Sequence, residues 1–202
     1  MSTVPKYSLS PAQYLEQERR AEFKSQFYRG EVFAMAGASR EHNLIVGNLV
    51  REIGNALKDR QCEVYPSDMR VKVAATGLYT YPDATVVCGD PVFEDDHFDT
   101  LTNPTVLFEV LSESTESWDR GGKFRQYRDI PSLKEYAMVT QDRPGVERYI
   151  RQKDGGWLLQ ETQSIEASVR FESIDVTVPL SEIYRNIRFE DPATPETTPA
   201  AN

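Results

Sequence analysis

Basic residues are the first shortage in this chain. Its 23 Lys and Arg stand against 32 Asp and Glu, a formal net charge of -9. A protein that gripped nucleic acid through phosphate neutralisation alone would carry the opposite balance, so the overall charge argues against tight nonspecific DNA binding. Long apolar runs are also missing. No stretch approaches the length that spans a bilayer, and the segment from Met1 to Arg20 has no apolar core between a basic start and a small-residue cleavage site. Membrane partners are therefore excluded, and the expected compartment is the cytoplasm. Cysteine is scarce, with 2 in the chain, Cys62 and Cys88, each inside a run that reads as a strand. The expectation is a pair of buried thiols in a reducing compartment, with a structural disulfide as the lesser reading.

What is present suits one globular domain. A chain of 202 residues can enclose a real core but is short for two domains, and 39% hydrophobic with 27% charged residues reads as soluble. The domain is expected over residues 1–190. From Asp191 the chain turns to Pro, Thr and Ala without periodicity, which predicts a disordered tail over 191–202.

Ser10-Pro11 has the form of a helix start, with Tyr14, Leu15 and Phe23 supplying an apolar side. Phe27 to Met35 alternates loosely, as a strand or hairpin arm. Ser39 then looks like the N-cap of an amphipathic helix from about Arg40 to Lys58, with Ile45, Leu49, Ile53 and Leu57 along one stripe and Val46 and Val50 beside it. Strand-like runs rich in β-branched and aromatic residues follow at Cys62 to Tyr65, Met69 to Val73, Tyr81 to Cys88 and Thr105 to Leu111. A helix from Trp118 to Arg128 and a strand from Glu135 to Val139 come next. Val146 to Ile150, the turn Asp154-Gly155-Gly156 and Trp157 to Gln160 predict a β-hairpin, followed by a strand near Ile174 to Val178 and a short helix near Leu180 to Tyr184.

Chemistry gathers where two strands carry carboxylates among apolar residues. Asp83 follows Pro82 at the head of one strand, and Glu109 interrupts Val106-Leu107-Phe108 before Val110-Leu111 in another. An ionised carboxylate buried alone is very costly, so each must face solvent or find a partner. Two on neighbouring strands repel unless a cation lies between them, and hard ions such as Mg²⁺ or Mn²⁺ take oxygen ligands while keeping open positions for water. The alternative from the residues alone is a solvated face or a pair of loop caps. Downstream, Arg120, Lys123, Arg125, Arg128 and Lys134 form the densest basic region of the C-terminal half, either a phosphate-facing surface or a solvated helix face. The cluster Glu94, Asp95, Asp96, His97 and Asp99 resembles a metal site on paper, but it falls in an interstrand connection and reads as a solvated acidic loop.

Pro82-Asp83, Glu109-Val110-Leu111-Ser112, Asp119-Arg120-Gly121-Gly122-Lys123 with Tyr127, and Pro131-Ser132-Leu133-Lys134-Glu135-Tyr136 occur in this order. Tyr28-Arg29-Gly30-Glu31-Val32, Gly37-Ala38-Ser39 and Glu41-His42 precede them. On these motifs, from about Ser10 to Val178, the chain resembles the Uma family of restriction-endonuclease-like proteins within the PD-(D/E)XK nuclease superfamily. The resemblance implies an α/β (mixed α+β) fold with a restriction-endonuclease-like core, a mixed central sheet flanked by helices, plus additional β-hairpins. It implies Asp83, Glu109 and the Val110 carbonyl as ligands of Mg²⁺ or Mn²⁺, and DNA as substrate. Position 111, where the superfamily motif carries its lysine, is Leu111. Lys123 on the following helix is the natural substitute, since some branches of the superfamily carry the lysine there, and its ammonium would position water or stabilise charge.

Four further residues complete the candidate set. His42, in the first turn of the long helix, would hydrogen-bond a ligand carboxylate or a phosphate, or else serve the core. Glu31 would add a carboxylate from the early strand, against the reading of a solvated strand edge. Arg120 and Tyr127 share a face with Lys123 at i, i+3 and i+7 of a regular helix and would line a phosphate-contacting strip. A symmetric homodimer is expected on general grounds. Two functions from different classes emerge: a metal-dependent endodeoxyribonuclease, and a noncatalytic binding or assembly module on a nuclease fold.

Overall fold

In the computed structural model the described residues are 8–189. The expected tail over 191–202 lies outside them. Helix α1 (Pro11–Glu18) starts as its sequence predicts, in a capping box in which Ser10 accepts from the Gln13 N–H and the Gln13 side chain returns to the Ser10 N–H. Tyr14 and Leu15 are buried, but Phe23 is 76% exposed, because α1 ends before the apolar stripe reaches it. The predicted arm is a complete hairpin, β1 (Ser25–Tyr28) and β2 (Glu31–Ala34). Arg29 and Gly30 both take positive φ at its turn, and a Cβ at Gly30 would overlap Ser8.

Helix α2 (Arg40–Leu57) buries Ile45, Leu49, Ile53 and Leu57, the stripe expected from periodicity. Each such side chain contributes roughly 1.5–3 kcal/mol. They pack on one face of a six-stranded mixed sheet in the order β11-β10-β9-β8-β6-β3. Its strands are β3 (Cys62–Pro66), β6 (Ala84–Cys88), β8 (Val106–Val110), β9 (Glu135–Val139), β10 (Val146–Arg151) and β11 (Trp157–Thr162). All neighbours are antiparallel except β8 and β9, which run parallel and therefore need a crossover. That crossover is a widened π-helical turn, Trp118–Lys123, continuing into α3 (Phe124–Tyr127).

A five-stranded sheet, β2-β1-β5-β4-β7, adds β4 (Arg70–Val73), β5 (Leu78–Thr80) and β7 (Thr100–Leu101). Val71, Val73 and Leu78 from it pack with Leu107, Leu111, Tyr127, Tyr136 and Met138, so the opposite face of the mixed sheet is covered too. A pair of strands, β12 (Ser168–Phe171) and β13 (Val176–Pro179), and α4 (Leu180–Ile183) close the α2 side. Strand β8 is thus enclosed on both faces, which explains why it is apolar on both sides and makes Glu109, its one charged residue, conspicuous.

One expectation is corrected here. Cys62 and Cys88 form a disulfide, and neither is fully buried. The antiparallel register of β3 and β6 sets the two directly opposite, with Cα atoms 4.0 Å apart, which residue-by-residue reading of separate strands does not reveal. The acidic connection is also more than a solvated loop. Asp95 and Asp99 both bind Arg19, at 2.8 and 2.7 Å, Asp99 binds Arg70 at 2.9 Å, and Glu94 binds Lys72 at 2.6 Å. It staples α1 to the five-stranded sheet.

Candidate active site

The site forms where the head of β6 meets the tail of β8. Pro82 lacks an N–H and ends the approach to β6; Asp83 follows, and its N–H donates to the Phe108 carbonyl at 3.0 Å. Ala84 pairs with Phe108, so one further step along this antiparallel register sets Asp83 opposite Glu109. Alternation sends Phe108 and Val110 toward α2, whereas Leu107 and Leu111 join the cluster on the crossover side, and Glu109 shares their parity. The Asp83 carboxylate reaches back to β8 and accepts from the Val110 N–H at 2.7 Å. The same Oδ2 lies 3.2 Å from His42 Nε2. His42 is held there by its own helix start, since its N–H donates to the capping Ser39 hydroxyl at 3.1 Å.

Glu109 is 3% exposed and each of its oxygens is engaged. Oε1 accepts from the Tyr127 hydroxyl at 2.8 Å, and Oε2 lies 2.9 Å from Lys123 Nζ. Lys123 is equally buried and lies 3.0 Å from a second carboxylate, Asp119, as an ion pair. Burial pushes the Glu109 carboxyl up to about 8, against the pull of Lys123, with Asp119 and Asp83 adding to the rise. Desolvation works against the charge on Lys123, yet Glu109 and Asp119 outweigh it and hold the ammonium above its ordinary range. Both directions say the same thing: this cluster holds protons tightly when no other cation is present. Burial also keeps the Tyr127 and Tyr136 phenols well above their usual range, so both stay neutral donors.

Of the residues singled out in the sequence, the fold brings Asp83, His42, Glu109, Val110, Lys123 and Tyr127 together. Arg120 is elsewhere. It binds Glu116 at 2.7 Å and also Glu147 on β10. The cause is the π-helical turn: i→i+5 bonding advances each residue by only ~80°, which carries i+3 off the face while i+4 stays on it. Asp119, and not Arg120, therefore sides with Lys123. Asp119 is the residue that sequence reasoning missed, although its spacing of four from Lys123 was visible. Gly122 accommodates the turn, since a Cβ there would overlap the Trp118 ring. Glu31 stands exposed on β2, opposite Tyr28, in the other sheet.

The donor set fits a hard dication by charge. Glu109 and Asp119 share the Lys123 ammonium while Asp83 binds His42, so three carboxylates gather around one ammonium and, when all are ionised, leave two negative charges in excess. Among the described residues no group of three or more His, Cys, Asp and Glu side chains is arranged to hold a metal. The candidate ligands are accordingly two carboxylates and a backbone carbonyl, with the rest left to water.

Residues 11–180 match the Uma2 family, described as "Putative restriction endonuclease". The chain belongs to this family. An uncharacterized protein of Synechocystis sp., sll1609, is 39% identical over 168 residues, covering 83% of this chain and 95% of that one. A second from the same organism, slr1290, is 34% identical over 187 residues, covering 93% and 97%. A crystal structure from Anabaena variabilis, described as a putative nuclease belonging to DUF820, superposes with a TM-score of 0.72 at 15% identity, covering 87% of this chain and 97% of that one. At that identity it establishes the shared fold. Among the described residues no helix is long and apolar enough to cross a membrane.

Proposed function

We propose that this Uma2-family chain is a divalent-metal-dependent endonuclease that hydrolyses DNA phosphodiester bonds. The observation that carries the reading is the gathering of Asp83, Glu109 and Asp119 around one buried lysine, which Glu109 and Asp119 share while Asp83 binds His42, an excess of two negative charges once all three are ionised. Asp83, Glu109 and the Val110 carbonyl would hold Mg²⁺ or Mn²⁺, which when bound supplies Lewis-acid charge to the phosphate and lowers the pKa of water. The remaining work belongs to the chain. The Val110 N–H and His42 orient Asp83, and Tyr127 orients Glu109. Lys123 takes the place of the motif lysine missing at Leu111 and stabilises negative charge developing on the phosphoryl oxygens.

With a net charge of -9, affinity for DNA rests on the site and on the exposed Arg125, Arg128 and Lys134 rather than on a general basic surface. An enzyme acting on DNA in this way would work in the cytoplasm. A two-fold homodimer would present one such site to each strand of a duplex.

The test is cleavage of double- and single-stranded DNA with Mg²⁺ or Mn²⁺ by wild type and Lys123→Ala. Wild type cuts, and Lys123→Ala is slower by roughly two to three orders of magnitude, the scale of losing one electrostatic stabiliser of a transition state. Equal cleavage by both removes the role given to Lys123. No cleavage by either favours the noncatalytic module.

A further inference from the structure

Lys123 has two carboxylate partners at nearly equal distance, Glu109 Oε2 at 2.9 Å and Asp119 Oδ1 at 3.0 Å, and the reading above commits only the first of them to a cation. A dication at Glu109 competes for that oxygen's charge and repels the neighbouring ammonium. With Glu109 as its sole anchor, the lysine would be driven off at the moment the site became loaded.

Asp119 is built to prevent this. It is 1% exposed, and its main chain is fixed independently of Glu109: its N–H donates to the Thr115 carbonyl at 2.9 Å, and its carbonyl accepts from Tyr136 on β9 at 3.1 Å. The π-helical turn points its carboxylate toward the lysine, and the glycine at position 122 leaves room for Trp118 to lie over that turn. We propose that Asp119 is a positioning residue that retains the Lys123 ammonium beside the site when Glu109 is engaged by a divalent cation. This rests on the endonuclease reading for its use in catalysis, but the retention itself is measurable without any turnover.

The experiment follows acetylation of Lys123 by acetic anhydride, at one pH, by peptide mass spectrometry in the full-length protein with and without Mn²⁺. Wild type protects Lys123 under both conditions. Asp119→Asn protects it without Mn²⁺, because Glu109 remains, and loses protection at least fivefold when Mn²⁺ is added; Asp119→Glu, which keeps the charge, recovers part of it. Near-UV circular dichroism of each variant verifies the fold, and Asp119→Ser supplies a second neutral variant should Asn disturb it. Lys123 protected equally in folded wild type and neutral variants with Mn²⁺ overturns the proposal. So does a tenfold or greater loss of Mn²⁺ affinity in Asp119→Asn, which would make Asp119 a ligand. Where wild type cleaves DNA, Asp119→Asn lowers kcat by about 10- to 100-fold with KM within threefold, the pattern of a displaced group rather than of lost binding. Where wild type does not cleave, the endonuclease reading fails and the acetylation result still decides the retention.

Discussion

Arg148 and Lys123 are both buried cations set against glutamates on neighbouring strands of one sheet, Glu135 on β9 and Glu109 on β8, but their surroundings differ in kind. Glu135 meets Arg148 at 3.3 Å and accepts from the Ser173 N–H at 2.6 Å. Arg148 spends its other donors on the Arg170 carbonyl and on Gln160, and its guanidinium lies over the Phe171 ring. Charge there is balanced one to one, and the contacts tie β9, β10, β11 and the β12 strand together. Around Lys123 the carboxylates outnumber the ammonium, and burial raises Glu109 instead of settling it. A folded chain that needed only cohesion would not keep such an excess, because like charges in a dry interior oppose folding. On the function proposed above, charge balance is what distinguishes scaffold from site within a single sheet.

The largest expected effect breaks the scaffold member of this comparison. Glu135→Ala leaves Arg148 buried without its counter-charge and costs about 3–5 kcal/mol of stability in urea denaturation. Glu109→Gln, at equal burial, leaves the metal-free stability unchanged or raises it, because repulsion among carboxylates is relieved. A loss in Glu109→Gln as large as that in Glu135→Ala would mean that both clusters are scaffold.

A smaller effect comes from the Arg19, Arg70, Asp95 and Asp99 staple, a balanced cluster whose Arg70 is buried while Arg19, Asp95 and Asp99 are partly exposed. The Arg19 guanidinium, with help from Thr100 and Arg70, holds the Asp99 carboxyl well below the usual carboxylate range. A depressed folded pKa gives stability that is fully present above the unfolded value, about 3.9, and is lost as pH falls through the folded one. The urea midpoint of wild type should therefore fall more steeply below pH ~4 than that of Asp99→Asn. At neutral pH the variant loses about 1–3 kcal/mol, because the buried Arg70 loses a charged hydrogen-bond partner. Parallel acid limbs would show that the staple does not depend on Asp99.

These contrasts also show what could be read in advance. The stripe Ile45, Leu49, Ile53 and Leu57 and the apolar runs of β6, β8 and β9 are local patterns, and each formed where periodicity set it. Glu109 stood out for the same reason, as a carboxylate inside an enclosed strand. Features that depend on register or on helix geometry were hidden. The Cys62–Cys88 bond needs the β3–β6 pairing, and the π-helical turn takes Arg120 off the face that a regular helix would share with Lys123 while the i,i+4 partner Asp119 stays on it. Strands β5, β7 and β12 are two to four residues long and carry too little pattern to be seen without their neighbours.

The central claim, that the unbalanced cluster is a divalent-cation site, is tested most directly by calorimetric titration of Mn²⁺ into wild type and Asp83→Ala. The account predicts saturable binding to wild type and no heat above dilution for Asp83→Ala, with both proteins equally folded. Equal binding by the two, or no binding by folded wild type, would contradict it.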